Sequence, residues 1–147
     1  MVSGNSGGTR PIVFYGVIHP WHHDQFGHMN VRWYAHFFDD AAFFCFLEFG
    51  LDPGEMQEKH SVHTVTANTN TAFIKELMAG DLVKIDGAIK RLGNKSITVQ
   101  LRMLNARTGE THATYEIVEV FFDPVTRKSA SMPDAVRNAV SRFVVTE

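Results

Sequence analysis

Between Asp24 and Asn30 the chain reads Asp-Gln-Phe-Gly-His-Met-Asn, and a long apolar run, Val31 to Phe49, follows directly. That short stretch holds a carboxylate, an imidazole and a carboxamide around a glycine turn at Gly27. A carboxylate just ahead of a helix can attack a carbonyl or activate water against it. The unpaired N–H groups and partial positive charge at the helix start can hold the oxyanion that forms. The chemistry this arrangement suits is hydrolysis.

With a reference pKa of about 3.9, Asp24 is ionised at pH 7 and can act as nucleophile or as general base; both roles stay open. His28 can position Asp24, contact a leaving thiolate or pack in the turn. Asn30 suits a helix cap, and a cap there shapes the oxyanion site. Phe26, Trp33 and Phe37 are near enough to line a pocket for an acyl group, whereas most of the 12 phenylalanines read as core. Trp21 or Trp33 could also contribute to an aromatic box for a cation. His19, His22, His23 and His28 crowd into ten residues, but their spacing matches no established zinc pattern, so no metal is expected. Asp39 and Asp40 are a second carboxylate pair, read as a solvated or inter-subunit stripe with Arg32 and His36.

These residues need a scaffold. Pro11 to Pro20 reads as a strand, Trp21 to Met29 as a loop, and Val31 to Phe49 as a helix capped by Asn30 and ended by Gly50. The polar residues of that helix fall on one narrow stripe, which predicts that most of its circumference is covered. A turn at Asp52-Pro53-Gly54 precedes strands at Ser61–Ile74, Leu82–Leu92, Lys95–Ala106 and Ala113–Phe122. Turns at Gly80-Asp81, Gly93-Asn94 and Thr108-Gly109 separate them. A short helix is expected over Pro133–Arg142. The order implies an α+β fold, a long antiparallel sheet curled around one central helix.

The 147 residues suit one domain, 11–147, behind a Gly/Ser-rich lead-in, 1–10, expected to be disordered. The net charge of −2, without a basic cluster, argues against broad nucleic-acid binding. Cys45, the only cysteine, excludes an internal disulfide and fits a reducing, cytoplasmic setting. No transmembrane segment or secretory signal is read.

From Val13 to Phe122 the chain resembles the hotdog-fold acyl-CoA thioesterases typified by 4-hydroxybenzoyl-CoA thioesterase. The resemblance rests on Asp24, Gly27, His28, Asn30 and Tyr34, the Gly80-Asp81 turn, and Arg91-Leu92-Gly93 with Lys95-Ser96. It implies that Asp24 is the catalytic carboxylate and that backbone N–H groups near Asn30, Val31 and Arg32 polarise the thioester carbonyl. It also implies that Arg91, Lys95 and Ser96 lie near the phosphates of coenzyme A. No cofactor is implied beyond the coenzyme A of the substrate, and homodimers or homotetramers with sites between subunits are expected. Alternatives within the fold are an enoyl-CoA hydratase or dehydratase and a non-catalytic acyl-CoA binding module.

Overall fold

The structure is a computed structural model and describes residues 8–146. The first seven residues of the expected lead-in lie outside the described residues. Its last residues are held in place: Thr9 N–H donates to the Arg142 carbonyl at 3.0 Å, and Arg10 Nη2 donates to Gln100 Oε1 at 3.0 Å.

One antiparallel sheet carries the chain. Its strands are β1 (Ile12–Val17), β2 (His63–Phe73), β3 (Leu82–Leu92), β4 (Ser96–Asn105) and β5 (Thr111–Asp123), with a two-residue β6 (Lys128–Ser129) on β5. Their order is β1-β3-β4-β5-β2. Alternation places Val83, Ile85 and Ile89 of β3, Ile97, Val99, Leu101 and Met103 of β4, and Ile117 and Phe121 of β5 in the core. The sheet curls around α1 (Val31–Phe49), the arrangement of the hotdog fold.

α1 begins and ends where the sequence dictates. Asn30 has an extended backbone and its side chain accepts from Arg32 N–H, while Gly50 at φ 84° takes the left-handed cap and donates to the Leu47 and Phe46 carbonyls. The helix buries Tyr34, Phe37, Phe38, Ala41, Ala42, Cys45 and Phe49. It can approach β3 closely because Gly87 lacks a side chain: a Cβ there would meet Cys45 Sγ at 2.4 Å. Phe38 stacks on Tyr115 with ring centroids 5.0 Å apart.

The covering expected over most of the circumference of α1 is not found within the described residues. Phe43, Phe44 and Leu47 are all more than half exposed. They continue the face that carries Arg32, His36 and Asp39. The apolar character of the sequence therefore misleads about how much of the helix this one chain encloses.

Two elements go beyond the sequence reading. α2 (Pro53–His60) forms where only a turn was expected. Asp52 caps it by accepting from Glu55 N–H at 3.1 Å, Pro53 sits in its first turn, and Met56 alone is buried, so hydrophobic periodicity had nothing to register. β6 is too short to leave a pattern. The terminal helix, α3 (Asp134–Val140), ends earlier than expected in a 3-10 turn, Ser141–Phe143, whose Phe143 packs on Phe49 at 4.6 Å.

Candidate active site

The loop from β1 to α1 is held at both ends by backbone. Ile18 N–H donates to the Asp81 carbonyl at 3.0 Å, and Gly80 N–H to the Ile18 carbonyl at 2.8 Å. Met29 N–H donates to Leu77 at 2.7 Å, and Asn30 N–H to His22 at 2.9 Å. Within the loop Asp24 N–H donates to the His28 carbonyl at 3.2 Å and Gly27 N–H to the Asp24 carbonyl at 3.1 Å. Gly27 turns at φ 87°, a conformation costly for a side-chain-bearing residue.

This loop points Asp24 at the helix start. Asp24 Oδ2 accepts from Asn30 Nδ2 at 3.0 Å, and Oδ1 from Phe26 N–H at 2.9 Å. The carboxamide of Asn30 therefore has two tasks: its nitrogen fixes Asp24, and its oxygen caps α1 by accepting from Arg32 N–H at 3.0 Å. The Asn30 hydrogen bond, followed by that from Phe26, stabilises the carboxylate and holds its pKa below the ordinary value.

Of the three backbone donors named above, Asn30 N–H is given to the His22 carbonyl and Arg32 N–H to the cap. Val31 N–H has no acceptor among the described residues, and it remains the donor available to an oxyanion. A cleft of about 230 Å³ holds Asp24, Asn30 and Arg32 between Trp21, His23 and Trp33.

The remaining sequence-predicted residues scatter. His28 makes no hydrogen bond to the Asp24 carboxylate among the described residues; its Nε2 lies 3.1 Å from Glu76 Oε2. Phe26 is exposed on the tip of the turn, and Phe37 is core, edge-on to Phe14 at 6.0 Å and to His22 at 5.3 Å. Trp33 alone of the three aromatic residues lines the cleft. Arg91, Lys95 and Ser96 stand at the far end of β3, whose near end adjoins the Asp24 loop. Nine residues of strand, at most roughly 30 Å along the curved sheet, separate Arg91 from the end of β3 beside that loop.

The neighbouring histidines are structural props. His22 Nδ1 accepts from His19 N–H at 2.9 Å, and His23 Nε2 accepts from Ala79 N–H at 2.8 Å. Burial, with His19, His36 and His23 around it, pushes the His22 pKa down. His19 stacks on Trp21 at 4.1 Å. The Glu76 partner of His28 and the backbone anchors at Leu77 and Ala79 had no mark in the sequence, because each depends on which distant segment folds back on the loop.

Residues 18–140 match the thioesterase-like superfamily, and the chain belongs to it. Its fold is similar to that of SAV2348 from Staphylococcus aureus, a hypothetical protein solved in complex with CoA (TM-score 0.76, 20% identity, 91% of this chain and 84% of that one). It is equally similar to the probable thioesterase YbaW of Escherichia coli (0.76, 20%, 91% and 99%). The 1,4-dihydroxy-2-naphthoyl-CoA thioesterase Slr0204 of Synechocystis shares the fold at 12% identity (TM-score 0.72, 88% and 95%). No curated protein matches the chain.

Proposed function

We propose that this protein is a thioesterase that hydrolyses an acyl-CoA to the free carboxylic acid and coenzyme A, with Asp24 as its catalytic carboxylate. The observation that carries this reading is the shared Asn30, which fixes Asp24 and caps α1 at once, so that carboxylate and helix N-terminus open on one cleft. Membership of the thioesterase-like superfamily and the CoA held by the staphylococcal protein support it.

In this reading the thioester carbonyl points at Val31 N–H. Asp24 either attacks the carbonyl carbon, giving a mixed anhydride that water then opens, or takes a proton from the attacking water. The carbon–sulfur bond breaks, and the thiolate leaves as coenzyme A after taking up a proton. Arg32 places a guanidinium at the cleft. Arg91, Lys95 and Ser96, too far along β3 to serve Asp24 of their own chain, are assigned to the phosphates of a CoA bound at a neighbouring protomer. Self-association along the open edge of β2 is part of the reading.

The test is thiol release, followed with a thiol-reactive dye, over aliphatic, aromatic and polar acyl-CoAs. Turnover that vanishes in Asp24→Asn supports the assignment. Turnover that persists in that variant removes Asp24 from the chemistry, and no release from any acyl-CoA removes the thioesterase reading.

A further inference from the structure

Between β2 and β3 the chain crosses residues 74–81 without regular structure, and the Asp24 loop rests on this connection. Four residues of the loop bind to it. Ile18 N–H donates to the Asp81 carbonyl and the Ile18 carbonyl accepts from Gly80 N–H, while Met29 N–H donates to the Leu77 carbonyl. His23 Nε2 accepts from Ala79 N–H, and His28 Nε2 lies 3.1 Å from Glu76 Oε2. These contacts bracket Asp24 along the chain, so the place of its carboxylate follows the place of the connection.

At its β2 end the connection is tied to one residue of β5. The His112 carbonyl accepts from Ile74 N–H at 2.9 Å and from Lys75 N–H at 3.1 Å. The His112 ring returns to the same residue: its Nδ1 lies 3.1 Å from the Lys75 carbonyl oxygen. His112 therefore holds Lys75 at both its N–H and its C=O. The ion pair of Lys75 with Glu110 is exposed at both ends and adds little.

An imidazole is an unusual choice for this clamp. His112 is 3% exposed, and its Nε2 is buried with no hydrogen-bond partner among the described residues. A carbonyl only accepts, so Nδ1 carries the proton, and the unprotonated Nε2 is left as a bare acceptor. A buried polar atom left unpaired costs stability that an apolar side chain of similar size would keep. What the imidazole supplies in return is the one donor aimed at the Lys75 carbonyl.

We propose that His112 is a positioning residue for the candidate active site. Its Nδ1–H fixes the Lys75 peptide and, through residues 76–79, the loop that carries Asp24. It touches no reacting atom. Its effect on turnover rests on the thioesterase reading of Asp24, whereas the clamp itself can be tested without any substrate.

The first measurement is long-range proton–nitrogen NMR of the imidazoles in the unaltered protein at pH 7, with His112 assigned by the signal missing from His112→Asn. A protonated Nδ1 is expected; the Nε2–H tautomer, whose Nδ1 has no proton to give, overturns the proposal. The second compares His112→Leu, which loses the donor, with His112→Asn, whose amide nitrogen stands where Nδ1 does. In thiol release His112→Leu should lower kcat about tenfold or more with KM within about twofold, because a displaced Asp24 acts in the chemical step. His112→Asn should stay within about threefold of the unaltered kcat. In His112→Leu the Met29 amide should exchange faster with deuterium while amides in the middle of α1 keep their rates. No loss of kcat in His112→Leu, an equal loss in both variants, or an unchanged Met29 amide would each overturn the proposal. If the unaltered protein releases thiol from no acyl-CoA, the thioesterase reading falls, and the tautomer and the amide exchange decide the clamp by themselves. The tautomer decides it also where His112→Leu fails to fold.

Discussion

Asn30 couples two properties that are usually separate, the charge state of Asp24 and the integrity of the start of α1. Because its hydrogen bond is the largest cause of the lowered Asp24 pKa, Asn30→Ala should let that pKa rise. The activity of an ionised Asp24 is present above its pKa and lost as pH falls through it. The acid limb of kcat/KM should therefore move to higher pH in Asn30→Ala, and an unmoved limb would show that Asn30 does not set it. The same variant loses the helix cap, worth about 1 kcal/mol, which denaturant titration reads independently. Asp24→Asn should cost at least about a hundredfold in kcat with little change in stability, in line with the loss of a positioned acid–base group. Both residues were legible in the sequence because their contact is made inside one seven-residue turn. His112 was not, since its ring reaches the Lys75 carbonyl, 37 residues away, only because β5 pairs with β2. Nor was the fate of His28, which needed the position of Glu76.

At the scale of elements, α1 was readable to its ends because both caps are local: Asn30 accepts from within the first turn, and Gly50 supplies the left-handed residue. Its seating on the sheet was not, because that depends on Gly87, a residue of β3 that only the fold places under Cys45. Gly87→Ala should destabilise the protein by about 1–3 kcal/mol in denaturant titration, as overpacking of a closed contact does. A change near zero would mean that helix and strand separate freely. Burial pushes the Cys45 thiol far up, so the Gly87→Ala variant should also react faster with a thiol reagent by opening more often. The 3-10 turn ahead of the site carries its own pH dependence. His22 Nδ1 must be unprotonated to accept from His19, and its pKa is lowered in the fold. Below the ordinary imidazole value of about 6.5 the unfolded chain binds more protons there, so this part of the stability is complete above that value and declines as pH falls. The melting temperature should drop between pH 7.5 and pH 5.5, and His22→Gln should flatten the drop; an unchanged slope would remove His22 as its source.

The whole molecule poses a problem of distance that one chain does not solve. Asp24 and the Arg91–Lys95 hairpin sit at opposite ends of β3, yet the proposed reaction needs a carboxylate at the thioester and cations at the phosphates of one CoA. The proposed self-association has two features to use: among the described residues β2, eleven residues long, has a strand on only one side, and α1 exposes Phe43, Phe44 and Leu47. If the hairpin serves a neighbouring site, the two functions can be separated by mixing. A chain with Asp24→Asn and a chain with Arg91→Ala and Lys95→Ala should each be nearly inactive alone. In a mixed dimer, one site receives Asp24 from the second chain and the intact hairpin from the first. Co-refolded in equal amounts, the pair should recover about a quarter of normal turnover, since half of the dimers are mixed and each has one complete site. Val65→Lys, which sets a charge on the open β2 edge, should shift sedimentation toward a monomer and abolish that recovery. If the mixture stays as inactive as its parts while the unaltered protein sediments as a dimer, the hairpin does not serve the neighbouring site, and Arg91, Lys95 and Ser96 lose their assignment to CoA.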